Sequence, residues 1–434
     1  MLLGMAAIEL VNAARMRTRP PDPRGFPFDA VSRGVWSAGA FFRWPADYTM
    51  DAAGPIECGL RVAEGDSDLY RDYRPTSASL IYPPTAAVLM LPYGLASRAW
   101  GPAVATGLLD VTGRLCILAT IVLSAGLLPM VRARWTRWLA AILVLAAFYP
   151  LRWTLICVQV QSLITMLMAG AILAYSRDRG ISAGVLTGLA ACLKPNFGLV
   201  VLFALARRQW RFAASACATG AILIAVSLAT VGIAPWKDYV FRVVPAHSAG
   251  FGYYPNQTVN GLVHRWQGHS LDLVPAPDTR AARLATTLSI AVLIVLAVWP
   301  RGGNRNTPRG SLEEVKETQG ACGPAAGEAR TGRVLDLGIA ALAATMASPS
   351  AWEHHYAWTV VLFCGCAAAW EQQRLPTAYL VILAAGYLLA GTFFEPFRAF
   401  SSGPASLVNS TGLFGAILLL GAAWCALRTT ARTA

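Results

Sequence analysis

The stretch Ser-Pro-Ser-Ala-Trp-Glu-His-His-Tyr-Ala-Trp, residues 348–358, places His354 and His355 side by side behind Glu353, in a chain with only five histidines. A metal site usually needs three or more protein ligands. Adjacent helical residues also point to different faces, and no HExxH spacing accompanies the pair. The residues are better suited to an acid/base step or to contact with a phosphate, and no metal site is expected. Lys194 is a lone cation between two apolar half-segments, 181–193 and 197–206, broken at Lys194-Pro195-Asn196. A charge there is costly unless it is paired or near water, which makes it a functional candidate. Snorkelling to the interface is the alternative. A phosphate is its natural partner.

Asp51 opens the stretch "MDAAGPIECGLRVAEGDSDLY". By spacing alone it is a helix cap stabilised by the dipole. Functionally it would be a general base at the membrane surface, with Asp47 and Glu57 as local competitors. Asp66-Ser67-Asp68 could bridge a divalent cation to a phosphate, but its setting favours a solvated loop. Tyr82-Pro83-Pro84 fixes an extended entry into an apolar run, either as a rigid turn or as the edge of a lipid cleft. Gln159 and Gln161 would bond a neighbouring helix or sugar hydroxyls. In "YYPNQTVNGLVHRW", Asn256, Gln257, Asn260, His264 and Arg265 suit an amphipathic interfacial helix, or sugar and phosphate contacts. Asp110 and Arg114, four residues apart in an apolar span, read as a structural ion pair.

The elements that must carry these residues are membrane helices. The chain of 434 residues is 56% hydrophobic and 14% charged, with mean hydropathy +0.49. A soluble protein would carry about 25% charged residues. The apolar runs are continuous rather than alternating, which argues against an outer-membrane barrel. The expectation is an all-α polytopic membrane protein and a single domain over 1–434. Apolar segments at 1–14, 107–130, 136–150, 158–175, 181–193, 197–206, 213–233, 281–299, 334–348, 357–371, 376–394 and 409–427 predict about twelve transmembrane helices. Residues 51–64 are expected to form an interfacial helix and 84–100 a re-entrant or juxtamembrane segment. Residues 1–14 lack the basic start and small-residue site of a cleavable signal.

The net charge of +13 suggests nucleic acid in a soluble protein, but here it fits orientation-setting loops and a phosphate-bearing substrate. The basic connections at Arg132–Arg137, Arg177–Arg179 and Arg207–Arg211, the polar stretch 301–333 and the Arg428–Arg432 tail fall on one side, expected to be cytoplasmic. The stretch 301–333 reads as a disordered loop. The first outer loop 15–106, Lys194-Pro195, the outer loop 234–280, the Ser348–Tyr356 turn and the 395–408 loop share the other side. Seven of the nine cysteines sit in apolar runs as small hydrophobes. Cys58 and Cys322 stand alone, so no disulfide framework is visible.

Five blocks occur in an order that resembles glycosyltransferase family 87, the polyprenol-phosphate-mannose-dependent α-mannosyltransferases of the GT-C superfamily. They are "MDAAGPIECGLRVAEGDSDLY", "SLIYPPTAAVLMLPYGL", "VQVQSLITMLMAGAILAYSRDRGISAGVLTGLAACLKPNFGLVVLFALARRQWR", "PNQTVNGLVHRW" and "SPSAWEHHYAW". Val158 stands where a Gly usually precedes the first Gln, and Gln161 where Asn is common. The resemblance implies a GT-C-type bundle with juxtamembrane helices and a metal-independent, inverting hexosyltransferase without a cofactor. Its implied partners are a polyprenyl-phosphate sugar donor, a lipid- or glycan-linked acceptor and membrane lipids, with no nucleic acid. The implied place is the bacterial inner membrane, with the site on the outer, periplasmic face. By the same resemblance Asp51 is the base, and Lys194 with one of His354 and His355, foremost His355, neutralises the leaving phosphate. Arg265 stands beside them, and Tyr82-Pro83-Pro84 lines the prenyl groove. Gln159, Gln161, Asn256 and Gln257 are expected among the substrate-binding residues. The rival readings are a transporter or flippase of lipid-linked sugars, for which no inverted repeat is visible, and a polymerase or ligase of lipid-linked glycans.

Overall fold

A computed structural model describes residues 11, 50–71, 73, 81–129, 135–269, 274–299, 324–394, 397, 400 and 402–433. The expected first segment 1–14, apart from Val11, and most of the 15–50 loop lie outside the described residues, as do 300–323. Among the described residues the regular elements are all helices, with one isolated antiparallel bridge between Asn256 and Trp352.

In chain order the helices that position the site are α1 (Met50–Glu64), α2 (Pro84–Leu89), α3 (Leu91–Trp100), α4 (Pro102–Ala125), α5 (Trp135–Ala146), α6 (Tyr149–Ile156), α7 (Gln161–Ser176) and α8 (Gly180–Leu193). A 3-10 turn, Pro195–Gly198, leads into α9 (Leu199–Ala206), followed by α10 (Trp210–Val231). Then come α11 (Ala234–Asp238), a π-helical turn Tyr239–Val243, α12 (Val244–Ser248), α13 (Val259–Trp266), α14 (Arg280–Val298) and α15 (Pro324–Met346). The 3-10 segment Glu353–Thr359 enters α16 (Val360–Gln373), and α17 (Thr377–Gly391) and α18 (Thr411–Thr433) complete the bundle.

The apolar segments read from sequence become helices, but about twelve full spans do not result. Among the described residues three helical stretches are long and apolar enough to cross a membrane: Pro102–Ala125, Trp210–Val231 and Pro404–Thr429. The pair α5 and α6, bent by 62°, would make a fourth. Helices α7, α8 and α17 and the stretch Pro195–Ala206 are apolar but shorter. A short helix inside a bundle satisfies its own backbone and leaves its ends as sites for polar groups. Helix α15 begins at Pro324, so residues 324–333, expected within a disordered loop, are helical.

The bundle has two chemically different ends. At one, Arg207 pairs with Asp336 at 3.3 Å and donates to the Trp299 carbonyl at 2.9 Å, and Arg333 pairs with Asp178 at 3.7 Å. These contacts gather the basic connections after α7 and α9 on one side. Helix α8 runs away from that end for 14 residues, about 21 Å at 1.5 Å per residue, and delivers Lys194 to the other.

Two backbone features set the site's geometry. Helices α1 and α3 cross in backbone contact, where a Cβ on Gly59 would meet the Met90 carbonyl oxygen at 2.3 Å and one on Gly94 the Gly59 backbone at 2.0 Å. Only glycine allows this approach. Helix α1, expected to be interfacial, is thereby packed into the bundle, with Ala52, Ile56 and Cys58 buried. Between α6 and α7, buried Val158 adopts φ 48, a left-handed conformation that is costly for a β-branched residue.

Candidate active site

A cavity of about 550 Å³ lies at the end of the bundle opposite the Arg207–Asp336 pair. Lys194, His354, His355, Gln159 and Tyr82 all line it, together with Gly54 and Pro55 of α1. Asp51 belongs to the first turn of α1, one turn before Gly54. Its side chain lies outside the described residues.

The break in the α8 path explains Lys194. Pro195 cannot continue the helix, so Lys194 is extended at φ −144, ψ 100 and its side chain leaves the helix axis. Asn196 ties the turn to α15 through the Ala344 carbonyl at 3.1 Å. Among the described residues no carboxylate pairs with the Lys194 ammonium. Desolvation by burial holds its pKa well below the usual lysine range.

His355 is fixed by a reciprocal pair of bonds. Its backbone N–H donates to the Trp352 carbonyl at 2.8 Å, and the Trp352 N–H donates to its Nδ1 at 2.8 Å. The ring of His354 stands nearly perpendicular to that of His355, centroids 4.5 Å apart, and its buried Nδ1 has no partner among the described residues. Burial, then the nearby Lys194 charge, holds both imidazoles well below their ordinary pKa, which favours their neutral form.

Asn256, Gln257 and Arg265 do not line this cavity. Their polar groups hold the turn that presents the histidines. The Asn256 amide donates to the carbonyls of Phe251 at 2.8 Å and Pro349 at 3.1 Å, and its oxygen accepts from Ala351 N–H at 3.1 Å. The Gln257 N–H donates to the Ala351 carbonyl at 2.7 Å, and its side chain donates to the carbonyls of Tyr254 and Asn409 at 2.9 and 2.8 Å. Tyr356 donates to the Gln257 carbonyl at 2.6 Å. The fully buried Arg265 donates to the Asn256 carbonyl at 2.8 Å and to Ser410 Oγ at 2.7 Å. Burial draws its pKa down to about 10, with Glu353 opposing.

The polar face of helix α13 is turned into the protein. Asn260 and His264 face inward, bonding the Ala249 carbonyl at 3.2 and 2.9 Å. Gln161 is buried outside the cavity, its amide nitrogen without a partner among the described residues. Asp66 and Asp68 both pair with Arg71, at 3.2 and 3.3 Å, so that turn is an ion-paired loop. The Asp110–Arg114 pair closes at 2.7 Å as expected.

Sequence reading missed the opposite wall, made by Tyr239, Val243, His247 and Phe251. His247 packs against Phe251 and Tyr73, at ring centroid distances of 5.4 and 6.0 Å. Burial lowers its pKa to about 4. The rarity of histidine was the available signal, since three of the chain's five line one cavity.

The family model of glycosyltransferase family 87 matches residues 80–313, more than half of the chain. That stretch contains Tyr82, Gln159, Lys194 and Arg265, whereas Asp51, His354 and His355 lie outside it. No curated protein and no solved structure matches the chain.

Proposed function

The chain belongs to glycosyltransferase family 87, and on that premise we propose that it moves a sugar, mannose by the motif resemblance, from a polyprenyl-phosphate donor to an acceptor hydroxyl with inversion. The acceptor is a lipid- or glycan-linked sugar, and the reaction runs at the outer face of the cell membrane. The observation that carries this reading is the composition of the cavity. Lys194, which pairs with no carboxylate among the described residues, and the imidazoles of His354 and His355 meet at a polar pole, and apolar side chains such as Ile81, Leu199 and Val243 wall the rest. A phosphate with an isoprenoid tail has the same two-part chemistry.

In the proposed reaction the acceptor hydroxyl oxygen attacks the anomeric carbon from the face opposite the phosphate. Asp51 takes the hydroxyl proton as the new C–O bond forms, and the electron pair of the breaking glycosidic bond goes to the phosphate oxygen. Lys194 and the Nε2–H of His355 stabilise the charge gathering on the phosphate. Gln159 faces the same cavity and can hold sugar hydroxyls. Asn256, Gln257 and Arg265 act through the turn that they brace.

Purified protein in lipid vesicles, given either labelled polyprenyl-phosphate mannose or labelled sugar nucleotide with membrane lipid extract as acceptor, tests the reading. Transfer from the lipid donor to form an α-linked product is expected. Transfer from the sugar nucleotide alone would overturn it.

A further inference from the structure

The segment from Ile233 to Ser248 has two faces with opposite surroundings. On one, Tyr239, Val243 and His247 recur every four residues and all line the cavity. On the other, Ile233, Val240, Phe241 and Val244 are 57%, 46%, 79% and 44% exposed. Such a row of large apolar side chains is out of place in water. Lys237 and Arg242 flank it and are exposed too.

The segment is held firmly to the rest of the site. Tyr239 stacks on Tyr70 with centroids 6.2 Å apart, and Tyr70 donates to the Tyr82 carbonyl at 2.6 Å. Arg242 donates to the Tyr73 carbonyl at 3.1 Å, and its guanidinium lies 5.3 Å from the Tyr73 ring. The π-helical turn at Tyr239–Val243 adds a residue without breaking the helix path between α11 and α12.

Two residues belong to both surfaces. Val244 and Ile81 line the cavity and are also 44% and 40% exposed. The cavity therefore opens beside them, and its rim is apolar. The exposed row continues from this rim through Phe241 and Val240 to Ile233, next to the end of α10, itself a candidate membrane span.

We infer that residues 233–248 form a wall seated in the bilayer interface, with Phe241, Val240 and Ile233 in the acyl region and Lys237 and Arg242 among anionic headgroups, so that the cavity opens to lipid between Ile81 and Val244. An amphipathic, basic segment of this kind binds an anionic lipid surface through apolar area plus charge. The inference rests on the proposed function only for the identity of what enters. A lipid-linked donor would reach the Lys194 pole by lateral diffusion without leaving the membrane.

The test uses the full chain in vesicles containing phosphatidylglycerol. The double variant Val240→Asp/Phe241→Asp should lose about tenfold or more in turnover of a vesicle-embedded long-chain donor, since two apolar contacts with lipid become charges. It should keep near-normal turnover of a detergent-soluble short-chain donor. Equal loss on both donors, or no loss on either, overturns the inference. Independently of activity, a nitroxide on Phe241→Cys, in a Cys217→Ser/Cys322→Ser/Cys425→Ser background, should be reached by oxygen far more than by a water-soluble nickel chelate. Nickel access equal to that of a water-exposed site overturns it even if the double variant does not fold. Wild type that turns over neither donor removes the proposed function, and the nitroxide result still decides the surface.

Discussion

The backbone N–H of Trp352 donates to Nδ1 of His355 at 2.8 Å, which leaves the ring proton of the neutral imidazole on Nε2. His355 is thereby built as a hydrogen-bond donor toward the cavity that it lines. Replacing it with Ala removes a preorganised donor, and kcat for sugar transfer should fall by about 10²-fold. Steady-state rates with the labelled lipid donor check this. An unchanged kcat would remove His355 from the phosphate site.

Lys194 should separate stability from activity. A desolvated ammonium with no carboxylate partner among the described residues is a cost to the folded state, whereas a bound phosphate needs it. Lys194→Met should therefore raise stability in detergent by on the order of 1–2 kcal/mol while abolishing transfer. A thermal melt and a transfer assay on the same preparation measure both. A loss of stability would show that the ammonium is a structural contact.

Acid sensitivity follows from the histidines. His247 is held at about 4, against an ordinary 6.5, and His354 and His355 lie well below it as well. Between about pH 6.5 and 4 the unfolded chain binds more protons than the folded one. The stabilisation is complete above 6.5 and is lost as pH falls. The His247 share should be on the order of 2 kcal/mol. His247→Asn should flatten the pH dependence of unfolding in this window, read by chemical denaturation at several pH values.

Val158 carries a left-handed backbone that a β-branched side chain resists. Val158→Gly should relieve roughly 1 kcal/mol of that strain, less what is lost from burying the valine side chain. Val158→Ile, which keeps the branch, should give no relief. Melting temperatures of the two variants compare the effects.

Much of the bundle was legible because apolar runs in this chain are long and interrupted by charge. The boundaries of α8 and α9 around Lys194-Pro195 were readable from one cation and one proline. The number of spans was not, since hydropathy does not distinguish a helix facing lipid from a short one packed among helices. Arg265 shows the same limit for polar residues. Its type and spacing suited a phosphate, but its partners are carbonyls distant in sequence or supplied by a chain turn, and Ser410. His247 was missed because its significance is that it lines the same cavity as Lys194, and a contact so distant in sequence leaves no record in local spacing.

The central proposal is that Asp51 takes the acceptor proton while the Lys194 pole receives the phosphate. The direct measurement is transfer of labelled sugar from polyprenyl-phosphate mannose in membranes holding wild type or Asp51→Asn at equal abundance. Wild type should form a labelled α-glycoside and Asp51→Asn should form essentially none. Labelled product from Asp51→Asn at the wild-type rate would contradict the proposed mechanism.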